Sequence, residues 1–99
     1  MSWRNAGGSV KKILLRIAGD KHRDLVLFAL SWEKAVGPTM AERSFVDGFR
    51  HGQLFIGVTN SVWLQELSLN KKIIMNRLNQ EHKNKVKDMV FFIKSRNYG

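Results

Sequence analysis

The spacing of apolar residues changes near Ser44, and this change restricts the possible folds more than any other feature of the chain. From about residue 20 to Val36 the apolar residues recur every three or four positions, as on one side of a helix. Over residues 54–58 every second residue is aliphatic instead, which is the period of a half-buried strand. A chain that carries both periods in separate blocks is predicted to be an α+β protein.

The two periods predict six elements in the order α-α-β-β-α-β, with a three-stranded sheet. We expect residues 1–8, which are rich in glycine, to be flexible, and residues 9–96 to form a single domain. The predicted elements are a helix from Ser9 to Gly19, a helix from Asp20 or His22 to Val36, a strand from Phe45 to Arg50, a strand over residues 54–59, a helix from Ser61 to about Asn79 and a strand from Val86 to Lys94. In the first helix, Val10, Ile13, Leu14 and Ile17 are predicted to form the apolar face.

Three dipeptides are predicted to interrupt or join these elements. Gly37–Pro38 should stop the second helix, because glycine accepts a left-handed cap and proline cannot continue a helix. Asp47–Gly48 lies inside the first strand and indicates either a β-bulge or a competing turn. His51–Gly52 is predicted to be the tip of a hairpin.

The last predicted helix carries two apolar faces. Trp63 lies on the same side as Leu67 and Ile74, so we interpret it as a core residue and not as an exposed platform for stacking bases. Val62, Leu69 and Ile73 gather on nearly the opposite side. One sheet covers only one of these faces. We expect the N-terminal helix to cover the second one, with a partner protein as the alternative.

The charge balance points to a polyanionic partner. Seventeen Lys and Arg face eight Asp and Glu, which gives a formal net charge of +9. Such an excess attracts nucleic acid first, then an anionic membrane surface or an acidic protein, although it also occurs in proteins that are merely soluble and basic. The chain has no cysteine and no apolar run long enough to span a bilayer. We therefore expect a cytoplasmic protein that does not associate with a membrane.

The cations most suited to contact phosphate lie on two helices, on the loop before the last strand and at the ends of the first strand. If these residues share one face, phosphate contacts should dominate binding and the affinity should fall steeply with salt. They are Lys11, Lys12, Arg16, Arg43, Arg50, Lys71, Lys72, Arg77, Lys83, Lys85 and Lys87.

No group of residues supports catalysis. His22, His51 and His82 lack the spacing of a metal site, and we interpret all three as solvated surface residues. The carboxylates are scattered, and no glycine-rich stretch matches a phosphate or dinucleotide loop. We therefore expect no enzyme activity, no metal, no cofactor and no small-molecule substrate.

The order and spacing of apolar and small residues resemble the bacterial DciA family over about residues 9–94. The resemblance covers a Trp…Val-Gly…Ala segment, a Gly-x-Leu-x-Val-x-Val-like strand, a small polar pair before a Trp…Leu helix, and the closing strand. The residues that carry it are Trp32, Val36, Gly37, Met40, Ala41, Ser44, Gly52, Leu54, Ile56, Val58, Asn60, Ser61, Trp63, Leu67, Leu78, Asn79, Val86, Met89, Val90 and Phe91.

This resemblance implies a KH-like domain in which helices pack on one face of a three-stranded sheet. It also implies a protein that binds DNA, with single-stranded or forked DNA favoured, and that assists loading of the replicative hexameric helicase. An apolar surface that includes Val62, Leu69 and Ile73 would engage the helicase. The sequence holds no Gly-x-x-Gly loop, the backbone clamp of RNA-binding KH modules.

Two other functions fit the same residues. A KH-like module that binds RNA would use a similar basic surface, and preference for RNA over DNA of identical sequence would identify it. A protein-protein adaptor would capture a protein tightly and would have no affinity for nucleic acid.

Overall fold

The computed structural model describes residues 22–94 together with residues 12, 13, 16 and 19. The order of the elements over residues 22–94 is α1 (Arg23–Val36), α2 (Pro38–Glu42), β1 (Ser44–Arg50), β2 (Gln53–Val58), α3 (Ser61–Leu69), α4 (Lys71–Glu81) and β3 (Asp88–Ile93). Val10, Leu14 and Ile17 of the predicted first helix lie outside the described residues. Ile13 is helical but 55% exposed, so its predicted burial is wrong.

The three strands form one mixed sheet in the order β1-β2-β3. β1 and β2 pair antiparallel around the turn at His51 and Gly52, which confirms the predicted hairpin. Both turn residues have positive φ, 53° and 81°. The pairing register shifts between Val46 and Gly48, so the predicted interruption of β1 is a bulge and not a turn. β2 and β3 pair parallel, with Leu54 opposite Met89.

Pairing across the sheet separates its side chains into two faces. The core face carries Leu54, Ile56 and Val58 of β2, which are all fully buried. The buried helix residues belong to the same cluster, and they are Phe28, Trp32, Ala35, Ala41, Leu67, Ile74 and Leu78. The predicted α+β class, with helices packed on one face of a three-stranded sheet, is therefore confirmed for the described residues.

The junctions around α1 and α2 follow from local sequence. α1 ends at Val36 as predicted, and Gly37 adopts φ 90° and ψ 162°, a conformation that favours glycine. Pro38 does not only stop α1. It also occupies the first turn of the short helix α2, where its missing N–H costs nothing.

The predicted long helix from Ser61 to Asn79 is wrong in one respect, because it is two helices that meet at Asn70. The side-chain Nδ2 of Asn70 donates a 2.8 Å hydrogen bond to the carbonyl of Glu66, which the backbone N–H of residue 70 would bond in an unbroken helix. The backbone N–H bonds the carbonyl of Leu67 instead, at 3.1 Å. At the start of α3, Asn60 caps the helix by accepting a 3.1 Å hydrogen bond from the N–H of Trp63.

Two further sequence predictions need correction. The last strand begins at Asp88 and not at Val86, because Asn79 binds both backbone groups of Val86 at 2.9 Å and holds that residue in the loop. His82 is half-buried and is not a solvated residue. Its ring lies 4.9 Å from that of Phe28 and its Nε2 is 2.9 Å from Oγ of Ser31, because the end of α4 packs against α1.

Candidate nucleic-acid interface

One end of the sheet collects cations, and we call it the hairpin end. It consists of the row Arg50, Gln53 and Asp88, which lie side by side across the three strands, and of the adjoining turn His51–Gly52. Arg50 and His51 are exposed. The row follows from the register of the sheet, since partners in neighbouring strands point to the same side.

Lys87 joins the hairpin end through its backbone and its side chain. Its N–H donates a 2.7 Å hydrogen bond to the carbonyl of Gly52. The aliphatic part of the side chain passes so close to Gly52 that a Cβ there would meet its Cγ and Cδ at 3.0 Å. The stem therefore packs on the turn while the residue remains exposed, which leaves the ammonium group toward solvent.

Lys71 reaches the hairpin end from the first residue of α4. Its Nζ lies 2.7 Å from Oδ1 of Asp88. This hydrogen bond, together with one from the backbone N–H of Met89, holds the pKa of Asp88 below its ordinary value of 3.8. Asp88 therefore stays ionised at neutral pH and neutralises part of the positive charge of this surface.

The predicted cations do not all converge. Arg43 precedes β1 and Arg50 ends it, so the length of a strand of seven residues separates them. The Arg43 guanidinium lies 5.7 Å from the ring centroid of Trp63 at the start of α3. Trp63 itself is half-buried and packs against the core cluster, as predicted.

Two other predicted cations have contacts within the protein. Lys85 Nζ lies 2.7 Å from Oδ1 of Asp24 near the start of α1. Arg77 donates a 2.9 Å hydrogen bond from Nη1 to the carbonyl of Ala35, which ties α4 to the end of α1. The sequence analysis missed both contacts; the bond of Arg77 is part-buried and joins two helices, whereas the pair of Lys85 and Asp24 lies at the surface.

The remaining predicted cations are exposed where the structure describes them. Lys12 and Arg16 are exposed helical residues, and Lys72 and Lys83 are exposed on α4 and in the loop that follows it. Lys11 lies outside the described residues. Among the eleven predicted cations, side-chain contacts and the strand register bring Arg50, Lys71 and Lys87 together at the hairpin end.

The second face of the sheet, which we call the open face, carries aromatic residues that the sequence analysis did not single out. Its rows are Phe45, Gly57 and Phe92, then Gly48, Phe55 and Val90, then Arg50, Gln53 and Asp88. Phe45, Phe55, Val90 and Phe92 are half-buried and do not belong to the residues packed against the core cluster. The same alternation that predicted the core face contained this signal, because the residues between the aliphatic ones are also large and apolar.

Arg50 adds a cation to the open face. Its guanidinium carbon lies 4.5 Å from the ring centroid of Phe55, which is within the range of a cation-π contact. Phe55 is the diagonal neighbour of Arg50 across the β1–β2 pair. The hairpin end and the open face are thus one continuous surface that combines aromatic rings with positive charge.

The predicted partner surface of Val62, Leu69 and Ile73 is exposed, by 71, 75 and 51% respectively. Our preferred prediction, that the N-terminal helix covers these residues, falls mostly on a part of the chain outside the described residues; within residues 22–94 no element covers this surface. Val62 and Leu69 lie seven residues apart, two turns along the same side of α3. Ile73 continues this surface onto α4, beyond the break at Asn70.

The described residues contain neither a cluster suited to bind a metal ion nor a helix suited to span a bilayer. In residues 22–94 and the four isolated residues described, no cluster of three or more His, Asp or Glu side chains is suited to bind a metal. The same residues contain no helix with the length and apolar character that a transmembrane segment needs.

The structure thus defines a small α+β domain whose three-stranded mixed sheet presents an aromatic, basic surface. Its sequence matches the profile of the family described as Dna[CI] antecedent, DciA, over residues 8–91, and the chain belongs to this family. Membership implies a role related to loading of the replicative helicase. A search of curated proteins found no match to the chain.

Proposed function

We propose that the protein is a non-enzymatic, cytoplasmic accessory of the replicative hexameric helicase that binds single-stranded or forked DNA and assists helicase loading. The observation that carries the helicase role is the family match over residues 8–91. The observation that supports DNA binding is the group of cations at the hairpin end, on a chain whose net charge is +9.

Phosphate contacts at the hairpin end supply the proposed DNA affinity. Arg50 and Lys87 are exposed, while Lys71 shares its charge with Asp88. Lys and Arg bind DNA largely by releasing counterions from phosphates, a contribution that does not depend on sequence. The proposed binding is therefore non-specific in sequence.

Equilibrium binding tests the DNA half of the proposal. Fluorescently labelled fork, single-stranded and duplex DNA of one sequence should be titrated at about 50 and 200 mM salt. Three phosphate contacts on a single strand predict roughly 18-fold weaker binding at the higher salt. Lys87→Ala should weaken binding at low salt, and Lys34→Ala, which removes an exposed cation of α1, is the matched control. No binding to any DNA at low salt would refute this half.

Capture of the cognate hexameric helicase tests the other half. Immobilised protein should retain the purified helicase, and DNA unwinding should start faster when the protein is present. Absence of both effects, with a folded protein, would refute the helicase role without affecting the DNA half.

The alternative functions predict different outcomes of the same titrations. An RNA-binding module would prefer an RNA oligomer to DNA of identical sequence, since the 2′-hydroxyl is the main difference between the two. A protein adaptor would retain the helicase or another protein and bind neither nucleic acid at low salt.

A further inference from the structure

We propose that the open face binds single-stranded DNA by stacking bases on Phe55 and Phe92, an inference that rests on the DNA binding proposed above. It adds a base-contacting site to the phosphate contacts at the hairpin end. The occupant is an unpaired DNA strand, because duplex DNA keeps its bases stacked on one another.

The described helices do not cover the open face. The buried residues of all four helices belong to the core cluster, which lies on the core face, and within residues 22–94 no helix packs on the other side of the sheet. Phe55 and Phe92 lie on this uncovered face and are half-buried, so part of each side chain is accessible. Accessible aromatic rings on a sheet are suited to stack bases, since every base has a π face.

The backbone beside Phe55 leaves room for a flat ligand. Gly48 is the β1 partner of Phe55, and a Cβ at Gly48 would meet no atom within 4 Å. The absence of a side chain at this position opens one flank of the Phe55 ring. A base is thin and planar, so it can lie flat in this space beside the ring. A bulkier aliphatic side chain of a protein ligand cannot.

Charge distinguishes DNA from an apolar protein segment as the occupant. The Arg50 guanidinium lies over the Phe55 ring at 4.5 Å, and Lys87 adjoins the same end of the sheet. An apolar segment would leave these cations without a counter-charge, whereas a DNA strand brings one phosphate with each base. Bases stack on Arg guanidinium planes as well as on aromatic rings, so Arg50 can serve both parts of a nucleotide.

The spacing of the two rings suits more than one base. Phe55 of β2 and Phe92 of β3 lie one strand apart and two residues apart along the strand direction. Parallel strands lie about 4.8 Å apart and rise about 3.3 Å per residue, so diagonal neighbours of this kind are about 8 Å apart. Each ring therefore offers a separate stacking position along one extended strand that approaches from the hairpin end.

An abasic oligonucleotide provides the test, because it keeps the phosphates and removes the bases. Wild-type protein should bind oligothymidine roughly 5- to 20-fold more tightly than an abasic oligomer of equal length and charge. Phe55→Leu should reduce this ratio toward 1 without changing the salt dependence, since it removes a ring and no charge. Phe55→Trp, which keeps a π face, should preserve the ratio.

Phe91→Leu is the matched control, because it makes the same chemical change on the core face, where Phe91 packs against the cluster. It should lower stability and leave the ratio of affinities unchanged. Phe92→Leu is a second variant of the open face, and it keeps the test decisive if Phe55→Leu fails to fold. Circular dichroism reports whether each variant is folded.

The results that would overturn the inference can be distinguished from one another. If wild-type protein binds DNA but folded Phe55→Leu and Phe92→Leu keep the preference for bases, the site is wrong and the proposed function stands. The site is also wrong if these variants lose only helicase capture, or if another part of the chain covers the face. If the wild-type protein binds no DNA, both the site and the proposed DNA binding are wrong.

Discussion

The indole Nε1 of Trp32 donates a 2.9 Å hydrogen bond to Oγ of Ser44, and this hydroxyl donates in turn to the carbonyl of Met40 at 2.6 Å. Ser44 is the first residue of β1, and its side chain is buried within the apolar core. One hydroxyl thus joins α1, α2 and the sheet, and it provides the acceptor that a buried indole N–H requires.

Ser44→Ala should destabilise the protein although it removes a single atom. The buried N–H of Trp32 would lose this acceptor, which costs about 1–3 kcal/mol. Urea unfolding followed by tryptophan fluorescence measures the change. Ser68→Ala is the control, because Ser68 is exposed and bonds only a carbonyl of its own helix, and it should change stability by less than about 0.5 kcal/mol. Equal effects of the two variants would contradict this account.

Gly57→Ala should be destabilising because the ring of Phe45 lies against the glycine. A Cβ at Gly57 would approach Cε1 and Cε2 of Phe45 to 2.8 Å, so the ring would have to move. Overpacking of this kind costs about 1–3 kcal/mol. Gly48→Ala, in open space on the same face of the sheet, should stay within about 0.5 kcal/mol of wild type. Thermal unfolding of both variants compares the two positions, and partial recovery is expected when Gly57→Ala is combined with Phe45→Ala.

The faces of the sheet could be predicted from sequence, whereas the break at Asn70 could not. A period of two fixes which residues share a face, so Leu54, Ile56 and Val58 identify the core side directly. At Asn70 the helical spacing of apolar residues continues on both sides, and neither glycine nor proline marks the end of α3. The break depends on a bond from the Asn70 side chain to Glu66, which the composition of the segment does not reveal.

The contacts that each cation makes could not be predicted from the sequence either. Lys71 and Lys72 are neighbours in sequence, but Lys71 is paired with Asp88 on a strand seventeen residues away, and the position of α4 against β3 decides this. Arg77 looks like a surface cation because its helix position is off the apolar stripe. Only the packing of α4 on α1 brings its guanidinium to the carbonyl of Ala35.

Asp88→Asn should lower stability at neutral pH and raise DNA affinity. The pKa of Asp88 is lowered in the folded protein by the bond from Lys71, so its contribution to stability is present above pH 3.8 and is lost as the pH falls through the lowered pKa. The difference in melting temperature between wild type and Asp88→Asn should therefore shrink below that pH. A difference that grows on acidification would contradict the assigned cause.

The same variant removes a negative charge from the hairpin end and releases Lys71. We expect roughly two- to fivefold tighter DNA binding at low salt, and a smaller effect at high salt. Glu66→Gln removes an exposed carboxylate on α3 and is the matched control. If both variants raise the affinity equally, the hairpin end has no special role in binding.

Arg77→Ala should affect stability more than DNA binding, in contrast to the prediction from sequence that it contacts phosphate. The hydrogen bond to the Ala35 carbonyl is partly exposed, so its loss should cost about 0.5–1.5 kcal/mol. Lys72→Ala, five residues earlier on the same helix, should leave stability within about 0.5 kcal/mol of wild type. Urea unfolding and DNA titration of both variants separate the two roles. A large loss of affinity with unchanged stability would restore the phosphate role of Arg77.

The exposed surface of Val62, Leu69 and Ile73 should contribute to capture of the helicase. Leu69 and Ile73 expose 75 and 51% of their surface, so polar substitution removes little that stabilises the fold. Leu69→Gln combined with Ile73→Gln should weaken helicase retention about tenfold or more, because a few residues near the centre of an interface each cost about 2 kcal/mol or more when truncated, roughly 30-fold. Gln65→Ala, an exposed change on the same helix, is the control. Unchanged retention by the double variant, with the fold and DNA binding intact, would place the helicase contact elsewhere on the protein.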